Sequence, residues 1–142
     1  MWCLWQLSLL DRNITEDKEI RAMLNCFCVG MGGFIGASAR YLLSLIPIQG
    51  KSGFPWTTLF INAAGAFLIG CISAFAAKRG IGSSSLILFL KTGVCGGFTT
   101  FSTFALESYV LIENGKGVLS AVYMAASVLI CLGAVMLAQK II

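Results

Sequence analysis

Four stretches of the chain run predominantly apolar and are separated by short polar breaks: Met23 to Ile46, Thr57 to Ala77, Ser85 to Ile112, and Val118 to Ala138. Each reaches the roughly 20 helical residues, at about 1.5 Å apiece, that a bilayer core requires. None shows the strict apolar and polar alternation of a membrane barrel strand. Because backbone amides in lipid must find partners inside their own segment, the pattern predicts four spanning helices in one polytopic, all-α integral membrane domain. The breaks, "IPIQGKSGFP", "KRGIGSS" and "ENGKG", carry ordinary turn residues and are too short to house an extramembrane domain.

Composition agrees: 58% of the 142 residues are hydrophobic and 11% are charged, against a charged share of about 25% in soluble domains. The net charge of +4 is scattered over loops and helix ends, without the basic patch a nucleic-acid partner needs. Lys and Arg divide seven to three between the two sides, with Arg12, Lys18, Arg21, Lys78, Arg79, Lys91 and Lys140 opposite Arg40, Lys51 and Lys116. Counted from Met23 the division is four to three, which gives the positive-inside rule almost nothing to act on and predicts insertion in both orientations. Residues 1–22 read as an amino-terminal extension, either an interfacial segment or the product of a start displaced from Met23, ahead of a four-helix domain at 23–142.

Without histidine the usual zinc frameworks are excluded, and the six cysteines contain no CxxC pair, so most read as small buried hydrophobes. No nucleophile with a base and no carboxylate cluster is present, which argues against an enzyme. Polar groups inside the spans are the functional candidates, because lipid makes each of them costly. Arg40 ends the first span and can snorkel to the interface. Asn62, within "FINAAGAFLIG", is either interhelical glue or an amide on a ligand path. Gly32 and Gly36 form a GxxxG face for close helix packing.

The third span carries "GVCGGFTTFSTF", Gly93 to Phe104. Gly96 and Gly97 are weak points at mid-span, and a break there frees carbonyls that need protein, water or an ion. With Thr99 and Thr100 beside them they suit a hard cation. Beyond the break, Phe101 and Phe104 share a face and offer ring edges of positive character, while Ser102, Thr103 and Ser108 add hydroxyls. Tyr123, Ser127 and Cys131 recur every four residues in the fourth span. Such a lining of amide, hydroxyl and ring-edge donors suits a small anion that must be dehydrated and released again.

"GVCGGFTTFSTF", "GGFIGASARY" and "NAAGAFLIG" together resemble the Fluc family of fluoride channels, also called CrcB or camphor-resistance proteins, from about Met23 to the carboxyl terminus. The resemblance implies a passive fluoride channel of the cell (inner) membrane that exports fluoride from the cytoplasm. It implies an antiparallel, dual-topology homodimer whose broken third helices cross at its centre. A structural, non-transported sodium ion would be held there by the backbone carbonyls of Gly96 and Thr99. Phe101, Phe104, Asn62, Ser102, Thr103, Tyr123 and Ser127 would line the fluoride pathway, with Arg40 at its vestibule and Glu107 at an acidic position without an assigned role. Cys131 departs from the pattern, standing where a serine is expected, and its thiol is a weaker donor. A proton-coupled drug exporter is the nearest rival, but it needs an acid deep in the first span, and that span has none; a membrane scaffold explains the glycines but not the hydroxyl and ring stripe.

Overall fold

A computed structural model of the chain describes residues 2–46 and 53–142, with side chains from Asp17 onward. Among these residues all regular structure is helical. Helix α1 runs Trp2–Ser44 and passes through Met23 without interruption. The side chains of the "MWCLWQLSLL" segment, and most of the first predicted turn with Lys51, lie outside the described residues. Helix α2, Trp56–Arg79, ends where Gly80 turns left-handed (φ 66°) and donates its N–H to the carbonyls of Ala76 and Ala77. Helix α6, Gly117–Ile141, follows a tight turn in which Gly115 also takes a positive φ of 73°. Among the described residues, four segments are long and apolar enough to cross a membrane: Asp17–Ser44, Trp56–Arg79, Ser85–Glu113 and Gly117–Ile141. They match the predicted spans to within about six residues. The chain is a multi-pass membrane protein.

The segment Ser85–Glu113 is not one regular helix. Ser84 caps a single turn, α3 (Ser85–Ile87), by accepting the Ile87 N–H. A π-helical stretch follows over Leu88–Cys95, then a second turn, α4 (Gly96–Phe98), and finally α5 (Phe101–Glu113). Between α4 and α5, Thr99 (φ −80°, ψ 158°) and Thr100 (φ −147°, ψ 117°) are extended. The low helix propensity of Gly96 and Gly97 predicts the break there, yet Gly96 is helical at φ −64°, ψ −40°. It is the β-branched threonines, at ease in extended backbone, that leave the helix two to three residues later.

Close approach accounts for the glycines better than flexibility does. A Cβ on Gly97 would stand 2.5 Å from the Gly33 carbonyl oxygen, and one on Gly93 would stand 2.8 Å from the Gly32 Cα. The GxxxG face of α1 therefore packs backbone to backbone against the π-helical stretch and α4, as small residues at that spacing allow. On the other side α2 packs along α6, and α5 leans on α6. Phe54, Leu59, Leu111 and the fully buried Tyr123 form the core at that end. Large apolar side chains such as Phe27, Phe34, Phe60 and Leu106 face outward, the arrangement expected of a surface that meets lipid or another apolar protein face.

Candidate functional site

Asn62, one and a half turns into α2, reaches the two extended residues across the helix interface. Its Nδ2 donates to the Thr100 carbonyl at 3.0 Å, and its Oδ1 accepts the Thr100 N–H at 2.8 Å. A carboxamide has one donor edge and one acceptor edge, so it can replace both hydrogen bonds that a helix would have given Thr100. Of the two readings of Asn62, these bonds show the interhelical glue; the second amide hydrogen makes no hydrogen bond among the described residues.

Thr100 in turn starts α5. Its Oγ1 accepts the Thr103 N–H at 3.2 Å as an N-cap and donates to Thr103 Oγ1 at 3.0 Å, with Ser102 Oγ a further 3.3 Å away. These bonds have a consequence for the preceding carbonyls. In an unbroken helix the Gly96 carbonyl would accept from Thr100 N–H, and the Thr99 carbonyl from Thr103 N–H. Both N–H groups are engaged elsewhere, on Asn62 Oδ1 and on Thr100 Oγ1. Thr99 stays tied to the end of the preceding helix, its N–H and its hydroxyl both donating to the Cys95 carbonyl at 3.0 Å. Arg40 closes this end from α1, donating Nε–H to the Gly97 carbonyl at 3.2 Å, so its head is anchored at the break.

The rings sit on the far side of the two threonines. Phe101 and Phe104 have centroids 5.5 Å apart and are tilted by 46°, and Phe104 packs at 5.2 Å on Tyr123. Phe101 is 80% exposed whereas Tyr123 is wholly buried. Glu107, one turn past Thr103 on α5, accepts from Thr58 Oγ1 and from Tyr123 OH, each at 2.8 Å. With both carboxylate oxygens occupied by hydroxyl donors, Glu107 joins α2, α5 and α6 at one point. The Tyr123 proton is committed to that carboxylate.

A groove of about 440 Å³ opens beside this cluster. Asn62, Cys95, Thr99, Thr100, Phe101, Phe104, Ser127 and Cys131 line it, with apolar residues of α2 and α6 filling the rest. Ser127 is 6% exposed and its Oγ has no partner among the described residues. Ser108, by contrast, is tied to the Phe104 carbonyl and receives Ser120 on its own carbonyl, both at 2.8 Å. The structure therefore gathers Asn62, Thr99, Phe101, Phe104 and Ser127 on one wall system. Ser102 and Thr103 stand at the α5 start, and Tyr123 and Arg40 flank the groove without lining it. Thr58 escaped sequence reasoning entirely, since a threonine early in an apolar helix carries no spacing signal. The Thr100 cap was legible as a Thr-x-x-Thr pattern before α5. Among the described residues no three His, Cys, Asp or Glu side chains gather to hold a metal, so a cation at the break would have to rely on carbonyls.

Residues 27–139 match the family model described as CrcB-like protein, Camphor Resistance (CrcB). A protein of Ruminiclostridium cellulolyticum is 43% identical over 123 residues, spanning 86% of this chain and 95% of its own. One from Granulibacter bethesdensis is 44% identical over 122 residues, 84% of this chain and 95% of its own. A third, from Agrobacterium fabrum, is 44% identical over 114 residues, 80% and 91%. All three bear the name fluoride-specific ion channel FluC.

Proposed function

The chain belongs to the CrcB family, and from that membership we propose that it is a fluoride-selective, passive ion channel that carries fluoride out of the cytoplasm across the cell membrane. The observation that carries the reading is the groove beside Thr99 and Thr100. It offers the spare Asn62 amide hydrogen, the unpartnered Ser127 hydroxyl and the rings of Phe101 and Phe104, with no fixed cation among its lining residues. Donors without full charge suit an anion that must bind after losing water and still leave. No chemical step is required. Fluoride enters acid-exposed cells as the neutral acid, dissociates inside, and is driven out by the membrane potential, which supplies about 2.3 kcal/mol per charge at 100 mV.

The working form is an antiparallel homodimer. Support comes from the near-even distribution of Lys and Arg after Met23 and from the outward-facing Phe101, a polarised ring with nothing from its own protomer over most of its surface. A Cβ on Gly96 would meet nothing within 4 Å among the described residues, so packing among them leaves this glycine unexplained, whereas a second backbone crossing at that point would require it. A structural sodium ion fits there. Carbonyl oxygens suit a hard cation, and Gly96 and Thr99 are the two residues whose helical N–H partners are taken by Asn62 and Thr100. Two copies of each, related by the dimer axis, would hold the ion and neutralise the facing carbonyl dipoles. Asn62 and Thr100 orient the break, and Arg40 fixes the neighbouring Gly97 carbonyl.

The test is release of fluoride and of chloride from proteoliposomes of the purified protein, followed with ion-selective electrodes. Fluoride is expected to leave while chloride stays. Equal release of both would refute selectivity, and release of neither would refute the channel.

A further inference from the structure

Beside the donors assigned to anion conduction, the groove holds two thiols that conduction does not use. In an apolar helix a serine hydroxyl commonly folds back onto the carbonyl four residues earlier, as Ser108 does on Phe104 at 2.8 Å. Ser127 does not: its Oγ is buried, unpartnered, and on the groove wall. Cys131 lies one helical turn further along the same wall and is half-buried with a free thiol. Cys95 reaches the groove from the third span, also as a free thiol, and is 3% exposed. Sulfur, hydroxyl and sulfur thus border one small cavity that has no carboxylate and no imidazole in its lining. Thiols select soft metals.

We propose that Cys131 is a binding site for soft, thiophilic metal ions of the cuprous and mercuric class, with the Ser127 hydroxyl beside it, and that a metal held there obstructs the groove. The inference rests on the reading of the groove as the fluoride path. Binding involves no oxidation or reduction. With mercuric chloride the S–H bond breaks and an S–Hg bond forms, one chloride leaves the metal, and the proton passes to buffer. An excess of a dithiol takes the metal away again. Of the other described cysteines, Cys26, Cys28 and Cys71 do not line the groove, and Cys95, which does, is only 3% exposed.

The experiment uses the full chain in proteoliposomes, with mercuric chloride as the probe, fluoride flux as one readout and peptide mass spectrometry of mercury adducts as the other. Fluoride flux of the unaltered chain is expected to fall about tenfold on exposure, as blockage of a narrow path implies, and to return with dithiothreitol. Mercury should appear on the peptide containing Cys131. C131S, or C131A where the serine variant expresses poorly, should keep its own pre-exposure flux. Equal inhibition of the variants, or a Cys131 peptide without mercury, overturns the proposal. Absence of fluoride flux before mercury is added would instead overturn the channel reading. The adduct map would then still decide the metal site: mercury on Cys131 supports it, and its absence overturns it.

Discussion

Replacing Asn62 by leucine tests how the two extended threonines are held. The substitution keeps the branched side-chain shape, at a larger volume, and removes both hydrogen bonds to Thr100, at 3.0 and 2.8 Å. It leaves one N–H and one C=O at mid-span with neither a helical partner nor bulk water. Orphaned groups of that kind cost about 1–3 kcal/mol each, for a sum of about 2–6 kcal/mol. Interhelical hydrogen bonds inside membranes average nearer 0.6 kcal/mol, because the unfolded chain in lipid finds substitutes, and that sets a floor of about 1 kcal/mol for the pair. Thr100 belongs with the higher figure, since its neighbours already serve other bonds: Thr103 N–H serves the Thr100 cap and Arg40 Nε serves Gly97. A loss of about 2–4 kcal/mol is therefore expected from SDS titration followed by far-UV circular dichroism. Fluoride flux should fall together with it, because the clamp that orients the break and the spare amide hydrogen are lost at once. A leucine variant within about 0.5 kcal/mol of the unaltered chain, well under that floor, would refute the clamp.

Other substitutions separate packing from conduction. F101I should cut fluoride flux about tenfold or more with little change in protomer stability, since this ring is mostly exposed. F104I should cut flux and also cost about 0.5–1.5 kcal/mol, because it loses ring contacts to both Phe101 and Tyr123; unchanged flux in both variants would remove the rings from the path. G97A should destabilise by about 1–3 kcal/mol, because its new methyl group meets α1 backbone at Gly33, and a neutral result by thermal unfolding would contradict the close crossing. Exchange of sodium for a large organic cation should abolish flux and loosen the dimer on size-exclusion chromatography, whereas sodium-independent flux would exclude the carbonyl cation site.

Much of the architecture was legible because lipid imposes a length rule: four apolar runs had to be four helices, and the turn residues marked their ends. The packing of Gly32 and Gly36 was readable for the same reason, since residue size alone decides how near two backbones come. The position of the break was less so. Glycine has low helix propensity, which pointed to Gly96 and Gly97, but tertiary contacts from α1 hold that turn helical while Asn62 captures the Thr100 backbone. The partners of Glu107 were invisible because Thr58, Glu107 and Tyr123 come from three helices whose relative rotation no periodicity records. Ser127 and Cys131 were visible as a stripe, yet only the fold shows that one of them is buried without a partner.

Passive selectivity is tested most directly by proteoliposomes loaded with fluoride and chloride, voltage-clamped by a potassium gradient and valinomycin, without ATP or a pH gradient. Fluoride should leave as soon as valinomycin completes the circuit and stop where its electrochemical gradient vanishes, with chloride retained. Fluoride that moves only when ATP or a proton gradient is supplied, or chloride that leaves alongside it, would contradict the account.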